Sequence, residues 1–226
     1  MKRTINAILA KLTGLRIAKA INIKEMPYPL LPFVVKRTVY FYDLLQKIKG
    51  IKGEIVECGV GWGRSLFLLS ALSGLYDTQR HIYGFDSFQG FPEPTIEDEP
   101  ERYNIKKGRY TTTKEGTIRY LFNSGIDHDF IDNNITLVEG FFSESLTRYR
   151  GGNIALLHLD VDLYQSYKET LKFFYPKVVK GGIIAFDEYH KVEKFSGAKI
   201  AIDEFFLGKE KILKSSIINR YYVIKQ

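Results

Sequence analysis

Two acidic pairs stand out as groups that could do chemistry. Asp160-Val161-Asp162 follows the apolar run Ile154–Leu159, and Asp187-Glu188 follows Ile183–Phe186. If both runs are strands of one parallel sheet, four carboxylates converge at its C-terminal edge, where such sheets bind ligands. Uncompensated, they repel one another and their pKa values rise. A divalent cation with oxygen ligands, Mg²⁺, Ca²⁺ or Mn²⁺, would relieve that repulsion. It would also lower the pKa of a bound hydroxyl, while a spare carboxylate takes the proton. Asp160 and Asp162 are therefore candidate catalytic groups, and His190, three residues past Asp187, is a candidate acid–base or supporting residue. The bland alternative is that these acids cap helices or pair with nearby Lys and Arg.

The second feature is Glu57-Cys58-Gly59-Val60-Gly61-Trp62-Gly63-Arg64-Ser65, between an apolar strand pattern and an apolar helix pattern. Glycines let the backbone approach a ligand, and a helix N-terminus offers unpaired N–H groups. The spacing is G-x-G-x-G, not the G-x-G-x-x-G of dinucleotide enzymes. An acid at Glu57 would repel a pyrophosphate. It would attract the sulfonium and ammonium of S-adenosylmethionine (SAM), directly or through water. Asp86, ending the next strand, can accept hydrogen bonds from ribose hydroxyls. Glu139-Gly140, ending a later strand, falls where an adenine edge would lie.

These residues need a scaffold. Strand patterns at 54–58, 81–85, 134–139, 154–160, 183–186 and 221–224 alternate with helical patterns at 38–48, 65–72, 114–122, 167–174 and 199–206, with Gly181-Gly182 as a turn. Continuously apolar strands alternating with helices predict an α/β fold, a mostly parallel sheet covered on both faces. The stretch between Asp86 and Asn134, with Pro92, Pro94 and Pro100 and five acids from Glu93 to Glu101, is too long for a simple connection. It reads either as a lid over the ligand edge or as a solvated acidic loop. His158 and Cys58 read as core residues.

The length of 226 residues suits one such domain, at 51–226, with 1–50 as a helical accessory segment. The net charge of +7 is scattered rather than blocked, so no nucleic-acid partner is expected. A single cysteine rules out an intrachain disulfide and fits a reducing, cytoplasmic setting. Residues 1–20 interleave Lys2, Arg3, Lys11, Arg16 and Lys19 with Ile and Leu. This amphipathic basic helix suits a packing or dimer contact, or a membrane surface, and is too interrupted for a signal peptide or membrane span.

The chain resembles the macrocin O-methyltransferase (TylF-type) family of SAM-dependent enzymes. The resemblance rests on Val56–Val60 with Gly63 and Ser65, on Phe85-Asp86-Ser87-Phe88-Gln89-Gly90-Phe91-Pro92, and on Val138–Phe142. It continues through Leu159-Asp160-Val161-Asp162-Leu163-Tyr164-Gln165-Ser166, Tyr175-Pro176-Lys177, Gly181-Gly182, Asp187-Glu188-Tyr189 and Ala201–Phe205. It implies a Rossmann-like class I methyltransferase fold with a seven-stranded sheet. It implies SAM bound by Glu57, Gly59, Gly61, Gly63, Ser65, Asp86, Ser87, Glu139, Gly140 and Asp160. It further implies a divalent cation, usually Mg²⁺, held by Asp160, Asp187 and Glu188, and methyl transfer to a sugar hydroxyl of a glycosylated natural product or polysaccharide. The family usually carries Asp-Gly-Asp and Asp-Asp where this chain carries Asp160-Val161-Asp162 and Asp187-Glu188. The partner expected is a small-molecule or glycan acceptor, with a homo-oligomer as the assembly. Two alternatives stand beside this reading: a phenol or catechol acceptor, and a non-catalytic SAM- or RNA-binding module.

Overall fold

The structure, a computed structural model, describes residues 31–75 and 80–226, so the basic segment 1–20 lies outside the described residues. Residues 36–226 form one compact unit, and that unit is described here. It includes 36–50, grouped by sequence with the accessory segment.

The first helix among the described residues is α1 (Pro32–Lys47). The sequence pattern starts this helix at residue 38; instead Pro32 opens it, at a position where its missing N–H costs nothing. Then come β1 (Glu54–Cys58), α2 (Arg64–Ser73), β2 (Ile82–Asp86), α3 (Pro100–Tyr103), α4 (Lys114–Asn123), α5 (His128–Asn134) and β3 (Ile135–Glu139). After these follow α6 (Phe142–Ser145), β4 (Ile154–Leu159), α7 (Tyr164–Phe174), β5 (Val178–Phe186), α8 (Ser196–Phe206), β6 (Leu213–Lys214) and β7 (Tyr221–Ile224).

Seven strands among the described residues form one sheet in the order β3-β2-β1-β4-β5-β7-β6. Strands β1 to β5 are mutually parallel, and β7 runs antiparallel to β5. The order reverses between β1 and β4, whose C-terminal ends form the crevice where ligands bind in such sheets. Gly181-Gly182 is not a turn: β5 runs through it, and the register against β4 slips between Ile154 and Leu156. A bulge there absorbs the glycines without ending the strand.

Every residue of β4 is buried, because the strand is central and both faces are covered. One face packs on α7 and α8, with Tyr167, Leu171 and Phe174 at helical spacing. The other packs on α1 and α2, through Phe41, Leu44, Leu66 and Leu69. Each such side chain stabilises the fold by about 1.5–3 kcal/mol when removed from water. No helix among the described residues is long and apolar enough to cross a membrane.

The excursion after β2 is pinned at several points. Phe91 N–H donates to the Arg109 carbonyl, and Gly108 N–H donates to the Phe91 carbonyl, both at 2.9 Å. Asp98 is fully buried. Its Oδ1 accepts the Tyr164 N–H at 2.8 Å, at the start of α7, and its Oδ2 accepts the Thr95 N–H at 2.9 Å. A side chain that sequence groups with a solvated acidic loop thus ties the excursion to a core helix. Removing it leaves two buried N–H groups unpaired. Asp98→Ala should lose about 2–3 kcal/mol in urea unfolding, with Asp98→Asn losing less; an unchanged midpoint in the alanine variant would remove Asp98 as the anchor.

Candidate functional site

A cavity of about 530 Å³ opens at the C-terminal edge of β1, β2 and β4. Its wall takes in the glycine loop, Asp86 and Ser87, Gly140 and Phe141, and Asp160 with Asp162. Its volume falls within the range of small-molecule sites.

The glycine loop is shaped by its neighbours. At Gly59 the backbone is left-handed (φ 84°), and a Cβ would sit 1.8 Å from the Asp160 carbonyl oxygen. Only a residue without a side chain lets the ends of β1 and β4 come this close. Gly61 is also left-handed (φ 53°), but its missing Cβ would meet nothing within 4 Å. It faces the cavity and leaves backbone open to a ligand. Its N–H donates to Asp86 Oδ2 at 2.8 Å, while Phe88 N–H donates to Oδ1 at 2.7 Å. Asp86 therefore braces the loop, and each of its oxygens keeps a lone pair for a ligand hydroxyl. Burial pushes its carboxyl pKa upward against the pull of these bonds. Ser87 Oγ donates to the Gly90 carbonyl at 2.8 Å and closes its own turn.

Glu57 lies beneath the loop, fully buried and not in the cavity wall. Its Oε1 stands 3.0 Å from His158 Nδ1, and its Oε2 has no partner. Burial raises the Glu57 pKa, and the His158 bond works against it. Of the pair ending β3, Gly140 lines the cavity, with its N–H on the Asp86 carbonyl at 2.9 Å. The Glu139 side chain is exposed and lies outside the wall.

The acidic pairs do not behave alike. Asp162 adopts left-handed backbone (φ 58°), a conformation Asp tolerates better than most residues. Carboxylate oxygens of Asp160, Asp162 and Glu188 all lie within 4.8 Å of one another. Glu188 is fully buried and accepts the Tyr167 O–H at 2.7 Å. Burial, then Asp160, Asp162 and Asp187, push its pKa well up. Burial and Asp160 do the same to Asp162.

Asp187 belongs to a second such cluster, with a carboxylate oxygen within 4.8 Å of ligand atoms of His158 and Asp160. Its carboxylate is gripped by Arg220, Nε to Oδ1 at 2.7 Å and Nη2 to Oδ2 at 3.0 Å, and by Lys191 Nζ at 2.6 Å. Burial alone would raise its pKa, but Lys191, Arg220 and Arg37 outweigh burial and hold it well below the usual carboxylate range. The reason is tertiary: the β6–β7 hairpin brings Arg220 to the end of β5.

His190 is not in the cavity wall either. Its Nε2 lies 2.8 Å from Arg220 Nη1. Burial, then Arg220 and Lys191, bring its pKa down to about 4. The ring is thus held against a guanidinium rather than at the cavity wall.

Three cations sit among the four acids, and sequence reasoning singles out none of them. Arg37 of α1 lines the cavity and reaches Asp160 at 3.4 Å and Asp187 at 3.6 Å. Lys191 and Arg220 complete the set. Lys191 had one visible signal, its position four residues after Asp187. Arg37 and Arg220 are 150 and 33 residues from Asp187 in the chain, and no local pattern marks either. Trp62 also lines the cavity and is 59% exposed, an apolar surface offered to a ligand.

Comparison with known proteins agrees with this architecture. The chain is 28% identical over 177 residues to the demethyldecarbamoylnovobiocin O-methyltransferase of Streptomyces niveus, covering 76% of this chain and 65% of that protein. It is 27% identical over 142 residues to the 8-demethyl-8-(2,3-dimethoxy-alpha-L-rhamnosyl)-tetracenomycin-C 4'-O-methyltransferase of Streptomyces olivaceus, covering 62% and 54%. The matches thus span about half to two thirds of those relatives. The crystal structure of the calicheamicin methyltransferase CalS11 superposes with a TM-score of 0.78 at 26% identity, covering 98% of this chain and 91% of that one. The fold is that of class I SAM-dependent O-methyltransferases. Residues 36–218, most of the chain, match the family described as macrocin-O-methyltransferase (TylF), and the protein belongs to that family.

Proposed function

We propose that this protein transfers a methyl group from SAM to a sugar hydroxyl of a small glycosylated acceptor. The observation that carries the reading is that the glycine loop with Asp86 and the acids Asp160 and Asp162 open into one cavity. A nucleoside-binding end and a proton-accepting end then share one space. The open backbone at Gly61 beside the Asp86 carboxylate fits a ligand that carries a ribose. The sugar acceptor is supported by family membership and by the rhamnosyl compound in the name of one relative. Trp62, Phe91, Tyr110, Phe141 and Phe142 in the wall suit the apolar face of a sugar ring.

Each residue then has a task. Asp86 holds the ribose and keeps Gly61 in place. The backbone at Gly140 and Phe141 borders the adenine. Asp160 and Glu188 would hold a divalent cation, Mg²⁺ in the first instance, since this ion commonly takes one or two carboxylates and fills its remaining positions with water. The mutual repulsion within Asp160, Asp162 and Glu188 is the feature that fits a cation there. When bound, the cofactor supplies an electrophilic methyl group, and the cation lowers the pKa of a hydroxyl resting on it. Asp162, at the cavity wall, takes the acceptor's proton on a carboxylate oxygen. Asp187 holds Arg220 and with it the C-terminal hairpin.

Incubation with methyl-labelled SAM and a panel of rhamnosides, other glycosides and catechols should give label on the sugars; label confined to catechols would overturn the acceptor class. Asp162→Asn should lower kcat by about 10²- to 10⁴-fold, the usual worth of a positioned base, with binding of S-adenosylhomocysteine (SAH) unchanged. Asp160→Ala should abolish stimulation by Mg²⁺, and wild-type-like stimulation in that variant would dismiss the cation site. The His190 ring should titrate near pH 4 by NMR and move upward in Arg220→Met. Because its folded pKa lies below the unfolded value of about 6.5, protonating it opposes folding. Its cost to stability is absent above about pH 6.5, grows as pH falls from there toward the folded pKa near 4, and levels off below it.

A further inference from the structure

The excursion after β2 carries the run Lys106-Lys107-Gly108-Arg109-Tyr110, whose charges take no part in the chemistry above. Lys107, Arg109 and Tyr110 all line the cavity. The excursion is held across the edge of the sheet. The Glu97 carbonyl accepts from Ser196 Oγ at 2.9 Å, and the Tyr110 hydroxyl oxygen accepts from Lys194 Nζ at 3.0 Å, both donors lying beyond the end of β5. Burial raises the Asp162 pKa, and Lys194 is near enough to Asp162 to count against that rise. The basic run therefore reaches the acid end of the cavity, where the acceptor hydroxyl must lie.

Three observations on this run point to an anionic ligand. Among the described residues neither Lys107 nor Arg109 forms an ion pair, although the exposed Glu93 shares the wall. Arg109 gives Nη1 to the Asn104 carbonyl at 3.1 Å, and its guanidinium lies 5.0 Å from the Tyr110 ring centre. That fixes the fork and leaves Nε and Nη2 as donors. Thr112, two residues past Tyr110, is 7% exposed and in the wall, and its Oγ1 has no partner. A buried hydroxyl is costly to leave unpaired, and a ligand oxygen would complete it. Finally, Tyr110 has left-handed backbone (φ 66°), as Gly108 has (φ 76°). Such strain at a bulky residue persists where the surroundings enforce it, commonly at binding sites.

A guanidinium fork and an ammonium on one turn suit phosphate oxygens. Asp160, Asp162 and Glu188 would repel a phosphate, so the excursion is the side of the cavity that can receive one. Phe91 meets the Tyr110 ring edge-on at 5.2 Å, and the two rings offer apolar surface to a sugar. We infer that Lys107 and Arg109 bind a phosphate ester carried by the acceptor, so that the methylated sugar is a glycosyl phosphate or diphosphate and not a neutral glycoside. This inference rests on the sugar reading above and names the class of sugar. The ester itself is untouched: the acceptor oxygen gains the methyl group, SAH leaves, and the hydroxyl proton passes to Asp162.

The test offers each sugar in three forms, as its methyl glycoside, its 1-phosphate and its nucleoside diphosphate ester, with methyl-labelled SAM. For the sugar that accepts label, kcat/KM should be about 10- to 100-fold higher for a phosphorylated form than for the methyl glycoside, the range for hydrogen bonds to a charged group. Whichever phosphorylated form is the better substrate identifies the source of the phosphate. In the double variant Lys107→Gln, Arg109→Gln the ratio should collapse toward one, mainly through KM, and raising the ionic strength should shrink it in the wild type. Lys107→Gln alone changes an exposed side chain and should lower the ratio in part, and it serves if the double variant does not fold. Methyl glycosides used as well as the phosphorylated forms would overturn the inference and leave the sugar reading standing, as would a ratio that survives in the double variant. Label on no sugar in any form would instead overturn the sugar reading beneath it.

Discussion

Four carboxylates at the ends of two adjacent strands can share one corner of a protein only if positive charge stands among them. Asp160, Asp162, Asp187 and Glu188 meet this condition through Arg37, Lys191 and Arg220. Each cation comes from a different element, so satisfying the acids also assembles the edge of the sheet. Arg220 fixes the C-terminal hairpin to β5, Lys191 folds the segment after β5 back on itself, and Arg37 draws α1 over the glycine loop. Removing one partner from such a buried set leaves a charge uncompensated, which costs more than the pair contributes. The deficit of one positive charge left among the four acids falls on the group Asp160, Asp162 and Glu188, where a cation or a proton must complete the balance.

Much of this was legible in the sequence, for a physical reason. Parallel strands buried on both faces must be apolar throughout, so Ile154–Leu159 and Glu54–Cys58 announce themselves as strands. Ligand edges of such sheets lie at the C-terminal strand ends, so the apolar runs alone put Asp86, Asp160 and Asp162 at that edge. The departures came where long-range contacts override local pattern. Gly181-Gly182 reads as a turn until pairing with β4 pulls it into a bulged strand. Asp98 reads as one more solvated acid until the Tyr164 N–H claims it. Asp187 reads only as a metal ligand, and the pairing of β5 with β7 also brings it a guanidinium 33 residues away.

The same distinction separates what a motif can say from what it cannot. Glu57 and Asp86 belong to stretches whose function follows from position on a strand, and both sit at strand ends as those stretches require. Yet Glu57 does not open into the cavity; it acts from beneath, bonded to His158 from the neighbouring strand. Position fixes which end of the sheet an acid occupies. Which way its charge is felt depends on a partner that only the paired strands bring into reach.

The balance of charge around the acids bears on how the site can choose its substrate. A cavity with carboxylates alone would favour any cationic ligand and repel every anion. Arg37 reaches both Ser65 at the uncapped start of α2 and Asp160 at the end of β4, so positive and negative groups alternate along one wall and give the cavity a direction. A ligand with separated charges can satisfy both sides in one orientation only, and reversing it would set like charges together. Such repulsion against the wrong pose orients a bound molecule as firmly as attraction toward the right one. The glycine loop provides room, and the acids and Arg37 along the wall provide the orientation.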